Sequence, residues 1–139
     1  MYETILLPVD GSDPSNRAVE HALEIAERFA ATVHAVHVVD TRRYGEPTLS
    51  STELVLDELE DRGHDLLEEL ADRADNSGIT VEKRVCHGDP ATEILSHADA
   101  VDADLIVLGS RGTSHQRTTH LGSVADRVVR QAERPVLTT

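Results

Sequence analysis

Short apolar runs along this chain alternate with longer stretches in which apolar residues return every three or four positions. Thr4 to Val9 predicts a first strand, closed by Pro8 and the Asp10-Gly11 turn signal. Ser12-Asp13-Pro14 then opens a helix, because a hydroxyl or carboxylate ahead of an early proline satisfies donors the first turn leaves unpaired. Its inward stripe is Ala18, Ala22, Ile25, Ala26 and Phe29. A second strand spans Val33 to Val39, and the polar stretch Thr41 to Thr52, with Gly45 and Pro47, reads as a loop. Helix two runs from about Glu53 to Asn76 with Leu59, Leu66, Leu70 and Ala74 inward, and Ser77-Gly78 ends it. Thr80 to Cys86 is a third strand, and His87-Gly88-Asp89-Pro90 turns into a helix that buries Ile94, Leu95 and Ala98. Asp104 to Leu108 is a fourth strand. A last helix follows over about Ser123 to Gln131, with Val124, Val128 and Ala132 inward, and then a fifth strand from Pro135 to Thr138.

Strands that alternate with helices of ten or more residues require parallel pairing through right-handed crossovers. The expected fold is therefore an α/β domain with an open five-stranded parallel sheet and helices on both faces. With 139 residues the chain is long enough for one domain, 1–139, with its own core.

Charge changes the picture of partners. Twenty-six acidic residues face thirteen basic ones, a formal net charge of −13, and Lys83 is the one lysine. Such a surface repels nucleic acids and anionic membranes, and Tyr2, Phe29 and Tyr44 are the whole aromatic complement, too few to stack on single strands. No nucleic acid and no membrane are expected as partners. No apolar run approaches the ~18 residues of a membrane span. Met1-Tyr2-Glu3-Thr4 runs straight into a strand, which predicts no signal peptide. One cysteine, Cys86, leaves no internal disulfide and fits a reducing compartment. The expected location is cytoplasmic. An acidic, lysine-poor surface is what concentrated salt would screen, so a halophilic source is expected.

The chemistry concentrates after the fourth strand. Gly109-x-x-Gly112, nine residues, then Gly122-Ser123-Val124 places a glycine-rich loop between a strand and a helix N-terminus. Glycine permits positive φ and close approach of a ligand, and exposed N–H groups then gather around an anion. A phosphorylated small molecule is the expected ligand. This spacing resembles the nucleotide-binding signature of the universal stress protein family. Ile5-Leu6-Leu7-Pro8-Val9-Asp10-Gly11-Ser12 is similar to that family's first strand and adenosine-contacting turn. Val36-His37-Val38-Val39-Asp40 resembles its second strand, and Arg134-Pro135-Val136-Leu137 its last. The resemblance runs from Tyr2 to Thr138.

The resemblance implies strand order 3-2-1-4-5, which brings strands one and four together where the order reverses, the place where such sheets bind ligands. It implies ATP or another adenine nucleotide there, and Mg²⁺ would come in with the nucleotide's phosphates. Asp10 would meet ribose or adenine, Pro8 and Val9 would shape the base pocket, and Val38 would close it through its backbone. An Asx-turn ahead of the first helix is the competing role for Asp10. Gly109, Gly112, Gly122 and Ser123 would hold phosphate, flanked by Ser110, Arg111 and Val124. The loop from Thr113 to Leu121 departs from the family pattern, since only Leu121 is apolar, and its His115 and Arg117 are candidates for the terminal phosphates. The resemblance further implies a homodimer through the last strand.

Rival chemistries lack a residue they need. The P-loop requires a lysine after its last glycine, and Lys83 lies in a strand. A dinucleotide fingerprint requires Gly-x-Gly-x-x-Gly, which Asp10-Gly11-Ser12-Asp13 does not supply. The eight histidines suggest metal, but His34 and His37 project to opposite faces of a strand and His21, His64 and His97 sit on separate helices. No resident metal site and no catalytic residue are expected. The leading expectation is a nucleotide-binding regulatory protein. A slow ATPase or phosphotransferase using His115, Arg117 or His120, and a structural dimer module without nucleotide, are the alternatives.

Overall fold

A computed structural model describes residues 1–43, 50–111 and 121–139. Five parallel strands stand in the order β3-β2-β1-β4-β5: β1 (Thr4–Pro8), β2 (Thr32–Asp40), β3 (Val81–Gly88), β4 (Leu105–Leu108) and β5 (Val136–Thr138). Four helices connect them: α1 (Asp13–Phe29), α2 (Ser50–Asn76), α3 (Pro90–Ala100) and α4 (Ser123–Gln131). The expected order and parallel pairing are both present.

The central strand explains the continuous apolar run at the N-terminus. Side chains alternate across a sheet, and a strand covered on both faces has no position to spare for a polar one. Ile5 and Leu7 join Ala18, Ala22, Leu67 and Leu70 beneath α1 and α2. Leu6 joins Ile94, Ala98, Ala125 and Val128 beneath α3 and α4. All three leucine and isoleucine side chains of β1 are fully buried.

Several boundaries and facings differ from expectation. α2 begins at Ser50, inside the stretch read as a loop, and a single 3-10 turn occupies Thr41–Arg43. Polar residues in a helix's first turns carry no apolar period, so the pattern hid that start. β3 continues to Gly88, pairing it with Asp40. Leu67 is buried in α2 while Leu59 and Leu66 are only half-buried. Phe29 is 47% exposed, packed edge-on against Tyr2 with ring centroids 5.2 Å apart. It lies at the helix's last position.

The start of β1 is held by a residue a hundred positions away. Asp104 Oδ2 accepts from the backbone N–H of Glu3 at 2.8 Å and of Thr4 at 3.0 Å. These two bonds favour the ionised carboxylate and hold Asp104 below its ordinary range. The stabilisation is therefore complete above the unfolded value of about 3.9 and is lost as pH falls through the lower folded value. We expect Asp104→Asn to cost about 1 kcal/mol at neutral pH, a charged-group hydrogen bond discounted for exposure. Urea unfolding across pH checks this: the gap between wild type and variant closes below about pH 4.

Candidate functional site

A cavity of about 410 Å³ opens beyond the C-terminal ends of β1, β2 and β4, a volume suited to one small ligand. Pro8, Val9 and Asp10 form its floor from β1, and Val36 to Asp40 its wall from β2. Leu59 and Arg62 of α2 and Pro90 and Ile94 of α3 close the flanks. Leu108, Gly109, Arg111 and the first turn of α4 complete the far side. Of the residues singled out in sequence, Pro8, Val9, Asp10, Val38, Gly109, Arg111, Gly122, Ser123 and Val124 all line this one space. Gly112, His115, Arg117 and His120 lie outside the described residues.

Ser110 does not line the cavity. Its N–H donates to the Thr139 carbonyl at 2.9 Å and its own carbonyl accepts from Gly122 N–H at 2.7 Å. Both backbone groups of Ser110, and the N–H of Gly122, are thereby committed to protein. The pair ties the end of β4 to the end of the chain and to the entrance of α4.

Glycine acts here through space and not through a left-handed backbone. Gly122 has φ −65° and Gly109 also lies outside the positive-φ region, so of the two uses of glycine expected here the positive φ is not present at either. A Cβ on Gly109 would stand 2.7 Å from the Pro14 carbonyl carbon and 2.8 Å from Ser15 N. The end of β4 therefore passes directly against the start of α1, and only hydrogen fits between the two backbones.

The helix entrances differ from one another. Ser12 caps α1, accepting from Ser15 N–H at 3.3 Å, and Asp89 caps α3, accepting from Thr92 N–H at 3.2 Å. α4 starts after Gly122, which has no side chain to offer, and its first internal bond is Asp126 N–H to the Gly122 carbonyl. The N–H groups of Ser123, Val124 and Ala125 have no acceptor among the described residues, and all three residues line the cavity. Three unpaired donors and the positive end of the helix dipole make this wall attractive to an anion.

The opposite end is polar and structured. Asp10 Oδ1 accepts from Ser12 N–H at 2.9 Å and from Ser12 Oγ at 2.6 Å, and Asp10 N–H donates to Ser15 Oγ at 3.1 Å. The turn role foreseen for Asp10 is thus present, filled by one carboxylate oxygen. Asp40 takes the Arg42 guanidinium on both oxygens at 2.9 and 2.8 Å, and Arg42 reaches on to Asp89 at 2.8 Å. Arg127 of α4 also pairs with Asp89. The Thr92 hydroxyl, with Arg127 behind it, holds the Asp89 carboxyl below its ordinary range, and the Asp40 bond raises Arg42. This chain of charges fastens the end of β2 to α3 and α4 at the rim.

Sequence reading weighed His37 only as a metal ligand and passed over Ser15, Arg42, Leu59 and Arg62. The visible signal for His37 was its place beside Val38 at the C-terminal end of a strand. The helix residues carried none, because the crossover that folds α2 back over β2 is not written in local spacing. Among the described residues no group of three or more His, Cys, Asp or Glu side chains is placed to hold a metal.

A sequence profile described as the Universal stress protein family matches residues 1–139. The chain is 39% identical over 138 residues to universal stress protein MJ0531 of Methanocaldococcus jannaschii, covering 99% of this chain and 81% of that protein. The solved structure of the protein MJ0577 superposes with a TM-score of 0.93 at 27% identity, over 100% of this chain and 96% of that one. A universal stress protein solved in complex with cAMP superposes at 0.70 with 30% identity, over 99% and 96%. We expect Gly109→Ala to destabilise the fold by about 1–3 kcal/mol, because the obstructing atoms are backbone and cannot rotate away. Equilibrium denaturation of the purified variant measures this directly.

Proposed function

The chain belongs to the universal stress protein family, and on that premise we propose that its crevice binds an adenine nucleotide, ATP foremost, in a regulatory role. The observation that carries this reading is the entrance of α4, where the N–H groups of Ser123, Val124 and Ala125 have no acceptor among the described residues and all three residues line the same cavity as Asp10 and Val38. The cAMP complex of a family neighbour supports an adenine ligand. Phosphates sit against Gly109, Arg111, Gly112, Gly122, Ser123 and Val124, and the nucleoside lies over Pro8, Val9, Asp10 and Val38. Ser110 serves by holding Gly122 in place.

Magnitudes are adequate for this. Hydrogen bonds to charged groups contribute about 1.5–3 kcal/mol each, and micromolar affinity needs about 8 kcal/mol, so three amides and a buried base suffice. Mg²⁺ arrives with the phosphates, since it retains water and needs few protein oxygens. The single domain acts as a cytoplasmic protein, and its acidic surface is suited to concentrated salt.

The same reading includes a homodimer through β5. This strand is an edge of the sheet, with Pro135 O and Thr139 N and O bonded toward β4. By the two-residue period, Val136 and Thr138 carry the N–H and C=O groups of the open edge. Leu121 and Val129 are exposed apolar side chains, 39% and 43% accessible.

Ser123→Pro tests the phosphate wall. Proline is tolerated at a first helical position, and the extended Gly122 (ψ 161°) accommodates a following proline, so α4 should persist. The variant lacks one N–H and one hydroxyl. Calorimetry with ATP should show affinity reduced on the order of tenfold at unchanged circular dichroism. Retained affinity, or no binding of ATP, ADP or AMP by the parent in molar salt, removes this reading. Light scattering behind size exclusion should give twice the chain mass, and Val136→Pro, which deletes an edge donor while sparing the bonds to β4, should give a monomer.

A further inference from the structure

His37 is held by two constraints that leave one ring atom unused. Its Nδ1 lies 2.8 Å from the Val9 carbonyl oxygen, which can only accept, so Nδ1 carries the proton. In the neutral imidazole Nε2 is then a lone-pair acceptor. The ring cannot swing toward α2, because the helix backbone packs on it. A Cβ on Gly63 would stand 2.4 Å from His37 Cδ2 and 3.0 Å from Cγ, and glycine in mid-helix makes the contact possible. Nε2 meets no protein partner among the described residues, and His37 lines the cavity.

The cavity has a direction. Its unpaired amide donors lie at α4, beyond β4, while His37 stands on β2. Strand order places β1 between them, a separation of roughly 10 Å from two strand spacings. That is about the reach from a nucleotide's phosphates to the far edge of its base. We propose that His37 Nε2 accepts a hydrogen bond from the exocyclic amino group of adenine and so selects adenine over purines that carry an oxo group there. This rests on the nucleotide reading above. An oxo-purine presents a lone pair to a lone pair at that position, and both acceptors lose water without gaining a donor.

The test compares ATP with ITP, which differs by an oxo group in place of the amino group, by calorimetry at about pH 8. The wild type should prefer ATP on the order of tenfold. His37→Asn sets an amide N–H where Nδ1 was, keeps the bond to Val9 and lacks Nε2. It should bind both nucleotides within about twofold of one another, with the ligand-free melting temperature unmoved. Should that variant fold poorly, nitrogen NMR of the wild-type ring decides: the Nε2 signal moves on saturation with ATP. An asparagine variant that retains the preference, or an Nε2 signal that stays put, overturns the role of His37 while leaving nucleotide binding intact. A wild type that binds neither nucleotide overturns both.

Discussion

The close passage of Gly109 against the backbone of Pro14 and Ser15 is the constraint on which the crevice depends. It sets the end of β4 directly beside the entrance of α1. The next residue, Ser110, spends its N–H on Thr139 and its carbonyl on Gly122. Thr139 in turn donates its hydroxyl to the Pro14 carbonyl at 2.9 Å, closing the circuit back to α1. Three chain segments far apart in sequence thus meet at one point, beside the entrance of α4.

Electrostatics in this protein works against its own background. The formal charge of −13 disfavours any anion at long range, and a Debye length of about 10 Å at moderate salt confines what reaches the site. At the proposed site, attraction for an anion would have to come from short-range groups, the amides of α4 and the helix dipole. At the rim, Asp40, Arg42, Asp89 and Arg127 neutralise one another in a linked set. Their energetic value at such exposure is modest, but their geometry couples the end of β2 to α3 and α4.

Much of this was legible in the sequence. Apolar runs and helical periods located the five strands and four α-helices of the described residues, and the Gly109 and Gly122 spacing pointed to the wall that the fold assembles. The helix-opening signals Ser12-Asp13-Pro14 and Asp89-Pro90 fell where α1 and α3 begin, because caps depend on a few adjacent residues. The start of α2, the facing of Phe29 and the burial of Leu67 were not, since each depends on which surface a helix is pressed against. At Gly109 local chemistry suggested backbone freedom or room for a ligand, and the fold adds a demand that spacing does not show, clearance from a segment ninety-five positions away.

By itself the sequence determined what is local: alternation and period, turn and cap chemistry, net charge, and the absence of a side chain ahead of Ser123. These follow from interactions within a few residues and survive without knowledge of packing. Tertiary structure alone decided what lies across space. It brought Asp10, His37 and the start of α4 around one cavity, withdrew Ser110 into the scaffold, and oriented the His37 ring between Val9 and Gly63. Those arrangements come from parallel crossovers and steric contact between distant segments, which one-dimensional spacing does not encode.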